Sequence, residues 1–186
     1  MSLSFLPNAI TFARIALIGP VLVLIFRGEY GWALFLFALA GFSDGLDGYL
    51  AVRFNWQSRL GALLDPVADK LLVAGMFITL TMTGDLPVWL TVMVIARDAI
   101  ILGGAIAYHY LIEPVEGEPS RVSKLNTTLQ LLLLLSVLSV AGFGWPEPIT
   151  ITVLGAATMV TVFLSGADYV LRWSARALRG GKANEV

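Results

Sequence analysis

Asp44-Gly-Leu-Asp47-Gly48-Tyr-Leu-Ala51, followed by Gly61-Ala-Leu-Leu-Asp65-Pro-Val-Ala-Asp69, sets four carboxylates into otherwise apolar sequence. Asp44 and Asp47 are three residues apart near the end of one hydrophobic run, and Asp65 and Asp69 are four apart at the start of the next. On helices both spacings put the two side chains on one face. Four bare carboxylates facing one another in lipid repel, and each costs several kcal/mol to bury. A cation must accompany them, and a divalent metal is the simplest one.

The rest of the chain is built for lipid. Hydrophobic residues make up 58% and charged residues 13%, about half the charged share of a soluble domain, and mean hydropathy is +0.83. The net charge of −1 and the lack of any basic, aromatic-interleaved patch argue against nucleic acid as a partner. No cysteine is present, which excludes thiol catalysis, disulfides and thiolate-bound metal. The first residues, Met1-Ser-Leu-Ser-Phe-Leu-Pro7, have neither the basic start and cleavage site of a secretory signal nor the Arg-rich pattern of a mitochondrial presequence. The expected location is therefore a bacterial inner (plasma) membrane.

Apolar runs fall at 9–26, 31–52, 65–83, 86–111, 124–142 and 148–171, each about the length needed to span a bilayer. They predict an all-α integral membrane protein of six transmembrane helices in a single domain over residues 1–186. Gly- and Pro-rich turns separate them at Arg27-Gly-Glu-Tyr30, Thr83-Gly-Asp-Leu-Pro87 and Gly142-Phe-Gly-Trp-Pro-Glu-Pro148. Loop cations set the orientation. Arg53, Arg59, Arg121, Lys124, Arg172, Arg176, Arg179 and Lys182 lie on one side, whereas the opposite loops carry only Arg27. Both termini are expected in the cytoplasm, with all four aspartates near the cytoplasmic face. Glu113 to Glu118 reads as a solvated loop.

The spacing D-x2-D-G-x2-A-x9-G-x3-D-x3-D resembles the signature of the CDP-alcohol phosphatidyltransferases, D-x2-D-G-x2-A-R-x8-G-x3-D-x3-D. The match covers Asp44, Asp47, Gly48, Ala51, Gly61, Asp65 and Asp69. One position departs: Val52 stands where the family has Arg, with Arg53 next to it. The resemblance implies the fold of that family, a homodimer, and a reaction in which CDP-diacylglycerol gives its phosphatidyl group to an alcohol and CMP leaves. It also implies that Asp44, Asp47 and Asp65 hold a divalent metal, Mg²⁺ or Mn²⁺, with Asp69 beside it as metal neighbour and general base.

Physical chemistry fits those roles. A pyrophosphate brought to four carboxylates needs metal between the two, and an acceptor hydroxyl needs a base to take its proton. Gly48, Ala51 and Gly61 are small enough to admit the nucleotide close to the backbone. With Arg53, and with Asn8 and Thr11 of a segment resembling the family's P-N-x-x-T-x-x-R, they form the expected CDP-diacylglycerol site. Arg14 ends that segment. Together with Arg97, Arg121 and Lys124 it is a candidate for the acceptor phosphate, although Arg121 and Lys124 equally suit anchoring to anionic headgroups. Asp98 and Asp168 equally suit internal ion pairs.

Two competing patterns fall away. Gly41-Phe-Ser43-Asp-Gly45 fits the G-x-S-x-G nucleophile elbow, but that motif needs a strand-turn-helix and a partner histidine. The only histidine is His109, at the end of the fourth run. An ion-coupled transporter would also hold intramembrane acids, yet its acids belong near the bilayer midplane on broken helices.

Phe37-Ala-Leu-Ala-Gly41, Ile95-Ala-Arg97-Asp98 and Ser123-Lys124-Leu-Asn126-Thr127 with Gln130 resemble the eukaryotic-type cardiolipin synthase branch of the family. That branch implies phosphatidylglycerol as the glycerol-type acceptor. Phosphatidylglycerophosphate synthases, which use glycerol 3-phosphate, are the close alternative.

Overall fold

The computed structural model describes residues 6–54, 59–111 and 120–180, with side chains over 12–43, 67–104 and 120–169. The described residues form helices and no strand. In chain order these are α1 (Leu6–Phe26), α2 (Tyr30–Phe54), α3 (Arg59–Met82), α4 (Val88–Leu111), α5 (Arg121–Phe143) and α6 (Ile149–Gly180). The Glu113–Glu118 stretch lies outside the described residues.

The helix ends follow local chemistry. Gly28 adopts a positive φ of 75° after α1, and Gly84 one of 87° after α3, a conformation open to glycine without a Cβ penalty. Each closes its helix the same way. Gly28 N–H bonds to Ile25 C=O and Glu29 N–H to Leu24 C=O, while Gly84 N–H bonds to Thr81 C=O and Asp85 N–H to Leu80 C=O. This is the Schellman arrangement, which satisfies carbonyls that a helix terminus leaves open. At the start of α5, Ser120 is the N-cap: its Oγ accepts from Ser123 N–H at 3.2 Å.

Contacts divide the chain into two units. The first comprises residues 1–87 and 134–150, and the second 88–133 and 151–186. In the first, α1 packs against both α2 and α3. Val21 and Ile25 of α1, Ala33, Phe37 and Ala40 of α2, and Leu72, Val73, Met76, Phe77 and Leu80 of α3 are buried. Two glycines let helices approach closely. A Cβ on Gly75 would lie 3.1 Å from Leu22 Cδ1, and one on Gly142 would lie 3.0 Å from the backbone nitrogen of Gly31. The Tyr30 hydroxyl donates to Asp85 Oδ2 at 2.8 Å and Thr83 Oγ1 to the same oxygen at 2.6 Å, so the turns after α1 and α3 are tied together.

In the second unit the buried apolar positions are Leu90 and Val94 of α4, Leu133 of α5 and Val162 of α6. Polar residues accompany them at Arg97, Ser123, Asn126, Gln130, Thr158, Thr161 and Ser165, all buried.

Large apolar side chains also cover the outside. Phe12, Trp32, Phe35, Phe42, Val92, Leu102, Val153 and Phe163 are all exposed. A surface this apolar has no stable contact with water and calls for lipid. Arg121–Phe143 and Ile149–Tyr169 are long and apolar enough to cross a membrane.

Candidate active site

The first unit contains every residue of the aspartate motif, Asp44, Asp47, Gly48 and Ala51 on α2 and Gly61, Asp65 and Asp69 on α3, together with Arg53 on α2. Asn8, Thr11 and Arg14 lie on α1 of the same unit. The helix directions bring these segments to one end. Arg14 meets Asp69, and Leu22, further along α1, meets Gly75, further along α3. The two helices therefore run the same way. Their C-terminal turns share the end where Tyr30 begins α2, so α2 runs back against them. At about 1.5 Å per residue, Arg14 is about 20 Å from the α1 turn, Asp44 about 21 Å from Tyr30, and Asp69 about 24 Å from Asp85. The three residues thus share one level of the unit, at the end away from the Tyr30–Asp85 clamp.

At that level one contact is fixed by side-chain geometry. Arg14 Nη1 donates to Asp69 Oδ1 at 2.9 Å. The Arg14 side chain is 1% exposed and that of Asp69 49% exposed. A buried guanidinium must keep an anionic partner, and Asp69, itself half exposed, is one. Sequence reasoning assigned Arg14 to an acceptor phosphate and did not pair it with Asp69. The two are 55 residues apart in sequence, and no local signal links them.

Whether this residue set suits a divalent metal follows from its chemistry. The motif offers carboxylate oxygens alone, from the C-terminal half of α2 and the N-terminal half of α3, with Asp69 half exposed. Oxygen-only donor sets of this kind match Mg²⁺ or Mn²⁺ rather than softer metals. The residues fit. Among the described residues with side chains, no group of three or more His, Cys, Asp or Glu converges, and the side chains of Asp44, Asp47 and Asp65 lie outside that set.

The second unit holds the other candidate cations. Arg97 on α4 is buried, with Nη1 donating to Asp98 Oδ1 at 2.5 Å and Nη2 to Ser123 Oγ at 2.7 Å and to Ser165 Oγ. As it stands, Arg97 is an internal ion pair braced by serines from α5 and α6. Sequence reading missed both serines, although Ser123 sits in the very segment that carries the branch resemblance. Arg121 and Lys124 are exposed on the first turns of α5. Cations at a helix N-terminus oppose the macrodipole, so their placement there is unfavourable for the helix and suited to an external anion.

Residues 4–173 match the family profile for CDP-alcohol phosphatidyltransferase, which spans the whole aspartate motif. The chain belongs to the CDP-alcohol phosphatidyltransferase family. Among curated relatives it is 34% identical over 181 residues to the rat cardiolipin synthase (CMP-forming), covering 88% of this chain and 60% of that one. It is 46% identical over 103 residues to the Streptomyces coelicolor cardiolipin synthase (CMP-forming), covering 52% of this chain and 48% of the relative. A probable phosphatidylglycerophosphate synthase of Mycobacterium tuberculosis is 33% identical over 183 residues, covering 94% of this chain and 82% of the relative. The chain thus spans about 60% of the length of the mammalian relatives it matches. A phosphatidyltransferase family match leaves the ion-coupled transporter reading without support.

Proposed function

We propose that this protein transfers the phosphatidyl group of CDP-diacylglycerol to a glycerol-type alcohol and releases CMP, with phosphatidylglycerol as acceptor and cardiolipin as product. The observation that carries this reading is the family match across residues 4–173, with the aspartate motif intact inside it. The branch is supported by relatives named cardiolipin synthase from both a mammal and an actinobacterium.

The chemistry follows from the residues. The acceptor hydroxyl oxygen attacks the phosphorus that bears the diacylglycerol, the bond from that phosphorus to the CMP oxygen breaks, and the hydroxyl proton passes to Asp69. Arg14 holds one oxygen of Asp69 and so fixes its orientation. Asp44, Asp47 and Asp65, with Asp69 alongside, would hold Mg²⁺ or Mn²⁺, which neutralises the pyrophosphate and the charge growing on the leaving CMP. Gly48, Ala51 and Gly61 leave room for the nucleotide along the helix backbones, with Asn8, Thr11 and Arg53 as its polar neighbours. Arg121 and Lys124, exposed at the start of α5, draw the acceptor phosphate. Arg97 contributes to that phosphate only by exchanging its serine partners.

All six helices span the membrane in this reading, with both termini and the aspartate end at the cytoplasmic face of a bacterial plasma membrane. The loop cations support the orientation and the Streptomyces relative supports the bacterial setting. The rat and human relatives make a eukaryotic membrane the competing outcome. The homodimer remains part of the proposal on family resemblance.

Glycerol 3-phosphate is the second acceptor to test, because the Mycobacterium relative is matched over more of both chains than the mammalian ones are. Purified protein given CDP-diacylglycerol with phosphatidylglycerol and with glycerol 3-phosphate in parallel should yield cardiolipin by mass spectrometry. Phosphatidylglycerophosphate as the sole product would overturn the branch assignment and keep the reaction.

A further inference from the structure

Two contacts fix how α5 and α6 run past each other in the second unit. Thr161 Oγ1 donates to Asn126 Oδ1 at 2.9 Å. Arg97 bridges Ser123 and Ser165. Going forward on α5 from Ser123 to Asn126 goes backward on α6 from Ser165 to Thr161, so the helices are antiparallel. One more turn along each brings Gln130 on α5 level with Thr158 on α6. The polar side chains form three successive layers: Ser123 with Ser165 around Arg97, Asn126 with Thr161, and Gln130 with Thr158.

The layers differ in how their polar atoms are satisfied. The first two are joined by direct hydrogen bonds. In the third, Gln130 and Thr158 are fully buried, as is Asn126 beside them, each at 0% exposure. Among the described residues, Asn126 Nδ2, Gln130 Nε2, Gln130 Oε1 and Thr158 Oγ1 have no hydrogen-bond partner. Such atoms cost about 1–3 kcal/mol each when left bare, and buried polar groups in proteins are nearly always paired.

The four atoms are complementary to water rather than to an ion. Two amide nitrogens donate, the amide oxygen accepts, and the threonine hydroxyl does either. A water molecule accepts two hydrogen bonds and donates two, and so answers such a set without a net charge. A metal would face the amide N–H groups, and an anion the amide oxygen. We propose that Asn126, Gln130 and Thr158 form an internal water-binding site between α5 and α6, which completes the third layer and locks the register of the two helices. Interhelical polar contacts of this type hold helices together where lipid removes the hydrophobic drive.

The test is an experimental structure of the full chain in lipid nanodiscs at a resolution that shows water, together with thermal unfolding of Thr158→Val. The proposal expects a water peak within hydrogen-bond distance of the Gln130 amide and of Asn126 Nδ2 or Thr158 Oγ1. It also expects Thr158→Val, which keeps the shape and removes the hydroxyl, to lower Tm by about 2–4 °C. No peak, with the Gln130 amide bonded directly to Thr158 or Asn126, overturns it. A rise in Tm for Thr158→Val also overturns it, because removing a bare buried hydroxyl stabilises a protein. The wild-type structure decides the matter even if the variant does not fold.

Discussion

Asp69 and Arg14 form one device at the scale of single residues. In the proposed mechanism Asp69 takes a proton and must be aimed, and the Arg14 guanidinium at 2.9 Å on one of its oxygens would aim it. Asp69→Asn should lower CMP release by about 10²–10⁴-fold, the usual range for loss of a positioned base, with an unchanged helical circular dichroism spectrum. Activity near wild type would remove Asp69 from the chemistry. Arg14→Lys keeps the charge and loses the planar fork, so it should retain more turnover than Arg14→Leu, which leaves Asp69 without that partner. Equal loss in both variants would show that the Arg14 charge is irrelevant to Asp69. This pairing was not legible in the sequence. The motif placed Asp69, and the N-terminal pattern placed Arg14, but joining them requires α1 and α3 to lie side by side in the same direction. Ser123 and Ser165 around Arg97 escaped for the same reason, since serine carries no signal until a buried cation needs it.

Most of the helices themselves could be read from hydropathy at the scale of elements. The runs at 31–52 and 86–111 sit inside α2 (Tyr30–Phe54) and nearly coincide with α4 (Val88–Leu111). The differences are instructive. The last run ends at residue 171, but α6 continues to Gly180. Arg172, Arg176 and Arg179 end the apolar stretch, yet their spacing of four and three keeps them on one helical face. Likewise α3 begins at Arg59, before the apolar run at residue 65. Hydropathy marks where lipid begins, whereas the helix continues as long as its backbone bonds are made. Close approach of elements was less visible. Gly142 meets the backbone of Gly31, where a Cβ would lie 3.0 Å from nitrogen. Gly142→Leu should therefore push the end of α5 off the start of α2 and destabilise by about 1–3 kcal/mol, seen as a lower Tm. Gly41 has open space at its Cβ position, so Gly41→Ala is the control that should leave Tm unchanged or slightly raised. A Tm for Gly142→Leu equal to wild type would contradict the close packing.

The whole molecule is a lipid-facing helical protein whose four motif aspartates all fall in one of its two units. Its composition announced the membrane, and its motif announced the family, because both are carried by residue types and short spacings. The acceptor was not announced in the same way. Phosphatidylglycerol and glycerol 3-phosphate both present a glycerol hydroxyl and a phosphate, and the exposed Arg121 and Lys124, in the proposed role, would answer either. Acid residues alone cannot hold a pyrophosphate, so chelation should abolish turnover. Dialysis against EDTA is expected to bring CMP release to background, and Mg²⁺ or Mn²⁺ to restore it; full activity after chelation would refute the metal assignment. Phosphatidyl transfer at the aspartate cluster is read most directly as CMP released from CDP-diacylglycerol by purified wild-type protein and by Asp65→Asn, with Mn²⁺ and either phosphatidylglycerol or glycerol 3-phosphate present. Steady CMP release by the wild type and a loss of at least about 10²-fold in the variant are expected, whereas no release by the wild type with either acceptor, or equal release by both proteins, would rule out transfer at this cluster.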